Sequence, residues 1–369
     1  MADANIRRVV VKVGSSVLTD ERGRIVPTRL EQLVDQMSAF ALDHRQPVLV
    51  TSGAIACGMA ALSLTRRPKA LAKLQACAAV GQGELMHLYS RAFAQRGVLA
   101  GQVLLTQEDL ANRSRFRNAK QTLLTLLHGG VVPIVNENDT VAVEEITFGD
   151  NDRLAALVAV AVEAQLLVIL SDVDGFLKDG RVVERIEGVN HGHASGVYAS
   201  GRQTTKGGMA SKLEAARIVG HSGIPMIIAN GTRGGVLRDL LAGQSLGTLF
   251  VPPRNRLTSK RWWMAYALRR PKGAVVVDAG AAEALAVRGK SLLASGVQAV
   301  QGQFDARAFV AILDARGEEL ARGITAFSSK ELGRIRGLTS ADAARALGQA
   351  RVKEVIHRDH LVLMRELTT

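Results

Sequence analysis

The 369-residue chain contains little cysteine and lacks the signatures of several enzyme classes. Its two cysteines, Cys57 and Cys77, form no CxxC pair, so we expect free thiols in a reducing compartment rather than a disulfide framework. No HExxH motif is present, which excludes the common zinc-protease helix. A Gly-Lys-Ser sequence ends at Ser291, but Ala284 stands where a P-loop requires its first glycine. The chain therefore lacks a P-loop for nucleotide phosphates.

Long apolar segments are also missing from the sequence. The longest apolar run, residues 154–170, is interrupted by Glu163 and Gln165, so it does not predict a membrane span. A strand pattern begins at Arg8, which leaves no room before it for a secretory signal peptide. These features predict a cytoplasmic protein without membrane contact.

Aromatic residues make up 4% of the chain, whereas positive charge is in excess. The net charge is +13, and residues 256–369 alone hold 19 Lys and Arg against 11 Asp and Glu. Such a basic segment permits contact with RNA. Beyond residue 272, however, only Phe304, Phe309 and Phe327 are available for stacking on bases. RNA binding is therefore an alternative of a different class, which the sequence leaves open.

Short apolar strands alternate with amphipathic helices over the first 250 residues. That order predicts an α/β fold in which helices cover both faces of a mostly parallel sheet. We expect strands at residues 8–13, 47–51, 100–105, 131–135, 166–170 and 225–229. We expect helices at residues 28–42, 70–95, 115–127, 152–164 and 208–220.

The pattern changes after Pro252-Pro253, where a basic segment holds both tryptophans, Trp262 and Trp263. Paired aromatics in such a segment more often join two domains than bind a ligand. From residue 272 onward, short alternating runs punctuated by Gly, Asp and Ser predict a small β-rich domain. We therefore expect one domain over residues 1–255, a linker over 256–271 and a second domain over 272–369.

Polar residues follow most of the predicted strands at the point where each ends. Lys12 lies near the end of the first strand, Ser52 follows the second, and Ser-Asp at 171–172 follows the fifth. The fourth strand runs into the acidic-amide segment 136–139, and a second such segment, 150–152, precedes the next helix. Ligands of open α/β sheets bind in the crevice outside the carboxyl ends of the strands. We expect these side chains to converge there.

Phosphoryl transfer requires cations and backbone amides around the phosphates and a positioned acceptor. Lys12 stands in an otherwise apolar strand, where an unpaired buried ammonium is costly, so solvation does not explain it. Gly207-Gly208 leads into a helix with Lys212 near its first turn, which predicts a second phosphate-binding element. Three carboxylates are candidates for orienting the lysines or for holding Mg²⁺: Asp150, Asp152 and Asp172.

Seven segments together resemble the glutamate 5-kinase family of the amino acid kinase superfamily. They are VVVKVGSSVLT (9–19), VTSGAIACG (50–58), LLT followed by NAKQTL (104–123), VPIVNENDTV (132–141), FGDND (148–152), SDVDG (171–175) and GGMASK (207–212). The part from residue 272 onward resembles a PUA domain, a module otherwise associated with RNA modification enzymes. The resemblance covers nearly the whole chain. It implies an amino acid kinase-like sheet sandwiched by helices, followed along the chain by a small β-rich, PUA-like domain.

This resemblance implies an enzyme that uses ATP and Mg²⁺ to phosphorylate the side-chain carboxylate of L-glutamate, the first step of proline biosynthesis. Ser52, Asp139 and Asn151 would hold glutamate, with Asp139 suited to the α-ammonium group. Lys12 and Lys212 would stabilise the transferring phosphoryl group. The same resemblance implies that Asp172 keeps the two lysines apart and oriented. ATP would be bordered by Lys12, Ser171, Asp172, Lys206, Gly207, Gly208, Met209, Ala210, Ser211 and Lys212.

The family further implies feedback inhibition by L-proline, in a pocket overlapping the loop from Asp139 to Asp152. Asp150 and Asp152 are therefore candidates for this inhibitor loop as well as for a metal. Relatives assemble as dimers or tetramers, and the product would pass to glutamate-5-semialdehyde dehydrogenase.

The sequence departs from the family pattern at two places near the expected nucleotide pocket. Lys206 stands where a small hydroxyl residue is common, and the segment after Gly175 is short. A superfamily relative acting on aspartate, N-acetylglutamate or carbamate is the alternative, which NEND and GDND disfavour.

Overall fold

The computed structural model describes residues 6–21, 23–141, 151–189, 208–253, 257–268 and 271–364. The chain forms two compact units, which divide between Arg256 and Leu257. The predicted linker, 256–271, is not a separate segment in this division. Its helical residues belong to the second unit and contact strands of that unit. No helix in the described part of the chain combines the length and the apolar character that a bilayer crossing requires.

The first unit is built on the mostly parallel sheet that the sequence predicted. Its strands are β1 (Arg8–Val13), β2 (Gln46–Val50), β3 (Ala100–Leu105), β4 (Val132–Glu137), β5 (Leu166–Ser171), β6 (Leu177–Lys178), β7 (Arg181–Val182), β8 (Arg185–Glu187), β9 (Met226–Asn230) and β10 (Thr248–Val251). The order in the sheet is β3-β4-β2-β1-β5-β9-β10-β8, with β9 and β10 antiparallel. Strands β6 and β7 form a separate hairpin. The central strands β1 and β5 are mostly apolar and buried, as is typical of a sheet that helices cover on both faces.

Five helices of the first unit lie at the expected positions, and four short helices, at residues 15–18, 54–61, 107–111 and 236–241, were not expected. In chain order, all of these helices are α1 (Ser15–Leu18), α2 (Pro27–Leu42), α3 (Ala54–Ala61), α4 (Leu71–Ala94), α5 (Gln107–Ala111), α6 (Arg113–His128), α7 (Asn151–Ala161), α8 (Met209–Gly220) and α9 (Val236–Leu241). Local sequence features determine where several of these helices begin. Pro27 occupies the first turn of α2, Thr106 and Asp109 form a capping box on α5, and Asn112 caps α6.

Helices α3 and α4 approach each other unusually closely through two glycines. A Cβ atom added to Gly58 would lie 1.8 Å from the Cys77 carbonyl oxygen, and one added to Gly81 would lie 1.8 Å from the Ala54 carbonyl oxygen. Any side chain at these positions would force the helix backbones apart. The contact therefore holds α4 beside the loop that follows β2.

The second unit contains a five-stranded sheet, in agreement with the predicted β-rich domain. Its strands are β11 (Ala274–Val277), β12 (Val297–Gln301), β13 (Phe309–Leu313), β14 (Glu319–Ile324) and β15 (Leu361–Leu363), in the order β12-β11-β13-β14-β15. Four helices were not expected: α10 (Ser259–Trp262), α11 (Ala279–Ala286), α12 (Ser329–Ile335) and α13 (Ser340–Leu347). A π-helical segment, Trp263–Ala267, and 3-10 turns at Ala294–Gly296 and Arg358–His360 complete the unit. Phe304, Phe309 and Phe327 are all buried, so they are not exposed for base stacking.

Candidate active site

Two lysines and one aspartate meet at the carboxyl end of the central strand β1. Lys12 lies in β1, Asp152 in the first turn of α7, and Lys212 in the first turn of α8. Lys12 Nζ is 2.7 Å from Asp152 Oδ1, and Lys212 Nζ is 3.1 Å from Asp152 Oδ2. We call these three residues the lysine–aspartate triad. All three side chains are buried, and their pairing offsets the large cost of removing each charge from water.

The lysine–aspartate triad carries a net positive charge. Burial by itself raises the pKa of Asp152, but the ammonium groups of Lys12 and Lys212 outweigh burial and hold that pKa below its ordinary value. Ser211 Oγ also donates a hydrogen bond to Asp152 Oδ2, at 2.8 Å. Asp152 is therefore ionised at neutral pH, and two cations face one carboxylate. The excess positive charge suits an anionic ligand such as a phosphoryl group.

Asp172, which was expected to separate the two lysines, lies elsewhere. It follows β5 with an exposed side chain, and its Oδ1 accepts a hydrogen bond from Ser171 Oγ at 3.1 Å. The structure corrects the expectation, because the carboxylate between the lysines belongs to Asp152. The reason is packing: α7 lies against both β1 and α8, so the first turn of α7 reaches both lysines. A place for Asp172 beside ATP stays a prediction.

Amide side chains line another part of the crevice, toward β2 and β4. Asn151 Nδ2 lies 2.6 Å from the Thr51 carbonyl oxygen, 2.9 Å from Ser52 Oγ and 3.0 Å from Asn136 Oδ1. Asn136 Nδ2 donates in turn to Gln82 Oε1 at 2.8 Å. We call Ser52, Gln82, Asn136 and Asn151 the amide network. The structure thus brings together Ser52 and Asn151, two of the three residues expected to hold glutamate.

The backbone after β2 is shaped to present Ser52 to this network. Gly53 has a φ of +110°, a conformation that L side chains rarely adopt, and it directly precedes α3. Thr51 is fully buried, and its hydroxyl lies 2.9 Å from the Tyr89 hydroxyl on α4. Helix α4 therefore contacts the crevice through both Tyr89 and Gln82.

Asp139, the third residue expected to hold glutamate, follows β4 in a partly buried position. Burial raises its pKa to about 6, while the positive charge of Arg67 acts in the opposite direction. The raised pKa means that the positive charge of Arg67 does not fully compensate for the burial of this carboxylate. An ammonium group of a ligand would supply further positive charge.

The remaining predicted residues fall into two groups. Gly208 precedes α8, and Met209, Ala210 and Ser211 form its first turn. Asp150, Lys206 and Gly207 lie outside the described residues.

Asp152 was a candidate both for orienting the lysines and for holding Mg²⁺. Both of its carboxylate oxygens pair with ammonium groups, which agrees with the first role, and a role in binding Mg²⁺ stays a prediction. Among the described residues, no group of three or more His, Cys, Asp or Glu side chains could hold a metal ion.

Gln82 was missed as a site residue, and Asn136 was expected at the crevice only as part of segment 136–139, without a role of its own. Asn136 follows the apolar residues 132–135 within β4, in the NEND segment, and that position was the available signal. Gln82 gave a weaker signal. It is a polar residue at helical spacing from Ala78 and Leu85, both of which are buried, and a polar side chain on a buried helix face requires a partner.

Comparison with known proteins identifies relatives over the whole chain. The Amino acid kinase family model matches residues 7–230, and the PUA domain model matches residues 273–347. The chain is 47% identical over 368 residues to the Glutamate 5-kinase of Carboxydothermus hydrogenoformans, covering 98% of each chain. It is 47% identical over 369 residues to the Glutamate 5-kinase of Thermus thermophilus, again covering 98% of each chain. It is 46% identical to the Glutamate 5-kinase of a Geobacter species, over 97% of this chain and 98% of that one.

Proposed function

Because the chain belongs to the glutamate 5-kinase family, we propose that its crevice transfers the terminal phosphoryl group of ATP to the side-chain carboxylate of L-glutamate. The product is the acyl phosphate L-glutamyl 5-phosphate, the first intermediate of proline biosynthesis. The observation that carries the proposal is the lysine–aspartate triad, a buried site with excess positive charge at the carboxyl ends of the strands. Identity to named relatives over nearly the full length supports the substrate.

In the proposed reaction, Lys12 and Lys212 stabilise the negative charge on the phosphoryl oxygens as the group passes from ATP to glutamate. Asp152 fixes the two ammonium groups so that they need not reorganise during transfer. No general base is required, because the acceptor carboxylate is already ionised at neutral pH. Catalysis then consists of positioning and electrostatic stabilisation.

At the acceptor side, Ser52 and Asn151 hold glutamate and Asp139 receives its α-ammonium group. An ion pair with the ammonium would lower the raised pKa of Asp139, so the charge of the ligand and the environment of the carboxylate match. Ser171, Asp172 and the first turn of α8 border ATP in this arrangement. Lys206 and Gly207 belong to the same ATP-binding proposal.

Mg²⁺ belongs to the proposal as a partner of the ATP phosphates. It commonly keeps several waters and binds through substrate phosphates rather than in an all-protein cage. The described residues fit that mode better than a resident metal site, because the Asp152 oxygens are engaged with lysines. When bound, the ion would neutralise charge on the nucleotide.

The proposal also includes inhibition by L-proline, which resembles a cyclised glutamate and could compete at residues 139–152. Assembly as a homodimer or tetramer and handover of the product to glutamate-5-semialdehyde dehydrogenase follow from the family. A cytoplasmic location agrees with the two cysteines, Cys57 and Cys77, which are free and buried.

The direct test is to incubate the purified chain with Mg-ATP, L-glutamate and hydroxylamine. We expect γ-glutamyl hydroxamate together with an equal amount of ADP. Aspartate, N-acetylglutamate and carbamate serve as alternative acceptors. Preference for any of these over glutamate would contradict the proposed substrate, and absence of ADP formation with every acceptor would contradict the kinase activity itself. Unchanged turnover in millimolar proline would exclude feedback inhibition.

A further inference from the structure

Two buried polar atoms of the amide network have no hydrogen-bond partner among the described residues: Gln82 Nε2 and Asn151 Oδ1. Both atoms are almost completely shielded from solvent. A buried polar group left unpaired costs about 1–3 kcal/mol, so such atoms in an otherwise connected network require an explanation.

The remaining hydrogen bonds fix the orientation of both amides. Gln82 Oε1 accepts from Asn136 Nδ2, so the amide nitrogen of Gln82 is the end left over. Asn151 Nδ2 has three oxygen acceptors within 3.0 Å, so reversing that amide would put an oxygen against them. The network therefore offers one donor and one acceptor to a ligand.

A donor together with an acceptor fits the α-carbon end of an amino acid. Gln82 Nε2 can only donate, so it suits an acceptor such as a carboxylate oxygen, and Asn151 Oδ1 can accept from an ammonium group. A water molecule could form a hydrogen bond with either atom, but binding of water does not require a donor and an acceptor together. The amide nitrogen is also neutral, so it recognises a carboxylate without adding to the charge of the lysine–aspartate triad.

The order of strands indicates which carboxylate of the substrate this is. Asn136 lies in β4, and β2 separates β4 from β1, which carries Lys12. Neighbouring strands are about 4.8 Å apart, so the two ends of the crevice are separated by about 10 Å. The carboxylate that receives the phosphoryl group must lie near Lys12. The other carboxylate of the same molecule therefore points toward β4 and α4.

We propose that Gln82 is a specificity-determining residue that donates a hydrogen bond from Nε2 to the α-carboxylate of the amino-acid substrate. This inference rests on the proposed function, in which that substrate is L-glutamate. Helix α4 thereby contributes directly to acceptor selection. The close α3–α4 contact at Gly58 and Gly81 keeps this helix near the crevice.

The test is the substitution Gln82→Glu, assayed by hydroxamate formation at pH 8. Glutamate at this position keeps an oxygen for Asn136 but replaces the donor with a second, repelling oxygen. We expect KM for L-glutamate to rise 10- to 100-fold, with kcat and KM for ATP within threefold of wild type. Gln95→Glu makes the same change at an exposed position after α4 and should leave all three constants unaltered.

A second substrate separates recognition from a merely structural role. 4-Aminobutyrate is glutamate without its α-carboxylate, so Gln82→Glu should not reduce kcat/KM for this acceptor. An unchanged KM for glutamate in the variant, or an equal loss of kcat/KM with both acceptors, would overturn the role of Gln82 while leaving the kinase proposal intact. A wild-type enzyme that forms no hydroxamate from glutamate would overturn both.

Discussion

The two ends of the crevice differ in how their buried polar groups are paired. In the lysine–aspartate triad, each charged side chain has an oppositely charged partner within the protein. In the amide network, one donor on Gln82 and one acceptor on Asn151 have no hydrogen-bond partner within the part of the chain that the structure describes. The charged groups of the phosphate end are therefore paired within the protein, whereas in our proposal the substrate completes the hydrogen bonds of the acceptor end.

The physical reason is the difference in cost. An uncompensated buried charge costs about 3–5 kcal/mol, but an unpaired neutral amide costs only about 1–3 kcal/mol. A protein can therefore leave a buried amide unpaired, and the hydrogen bond that a ligand forms with this amide recovers the cost. Damage to the triad should therefore lower kcat and stability. Damage at the acceptor end should raise KM for glutamate.

The largest effect is expected for Lys12→Met, which removes a cation of the triad while keeping much of its length. Loss of one charge that faces a transferring phosphoryl group should reduce kcat by at least about 10³-fold. Steady-state kinetics over both substrates would measure it. Lys353→Met, at an exposed position in the second unit, is the matched control. A change in KM for glutamate without a change in kcat would contradict the proposed difference between the two ends of the crevice.

Asp152→Asn tests whether the carboxylate organises the lysines. It removes the counter-charge that the buried ammonium groups of Lys12 and Lys212 share, so the free energy of unfolding should fall by about 3–5 kcal/mol. Fixed positioning is lost as well, and we expect kcat to drop about 10²- to 10³-fold. Denaturant unfolding and kinetics are the measurements. Asp172→Asn, at the exposed residue after β5, should not reproduce the loss of stability.

Asp139→Asn should separate stability from binding. Because burial raises the pKa of Asp139 to about 6, ionisation of this carboxyl opposes folding above that pH. A neutral amide should raise the free energy of unfolding at pH 8 by about 1–3 kcal/mol. The same change removes a partner of the α-ammonium, so KM for glutamate should rise about 10- to 100-fold. Lower stability together with an unaltered KM would contradict both expectations.

The same carboxyl predicts a pH dependence at the acceptor end. Below about pH 6 the free enzyme holds Asp139 protonated, and the attraction for an ammonium is lost. KM for glutamate should then rise by up to about tenfold per pH unit as the pH falls. In Asp139→Asn this pH dependence should disappear.

The smallest effect is expected from moving α4 without changing its chemistry. A Cβ at Gly81 would overlap the Ala54 carbonyl oxygen, so Gly81→Ala should cost about 1–3 kcal/mol of stability and raise KM for glutamate a few-fold. Gly83, two residues further along α4, has open space around it. Gly83→Ala should stabilise the helix by about 0.5–1 kcal/mol. Thermal unfolding of the two variants would reveal the opposite signs.

Much of the first unit could be predicted from local patterns. Strands β1 and β3 begin and end at the predicted residues, and β5 extends one residue further. Boundaries moved most where polar residues belong to the strand: β4 extends to Glu137, through the amide of Asn136 that the pattern had placed outside it. In the second unit the amphipathic helices α11, α12 and α13 were missed. They are only seven or eight residues long, too short to show a clear helical period.

By itself the sequence determined the parallel sheet and the chemistry at its carboxyl edge. Continuous apolar strands and the polar residues that end them are local features, and parallel strands bring such ends to one side. Only the tertiary structure decided that Asp152 rather than Asp172 stands between the lysines, because both follow similar local patterns and the packing of α7 selects one. It also decided that Gln82 joins Asn136, 54 residues away, since a contact between distant segments depends on how α4 packs.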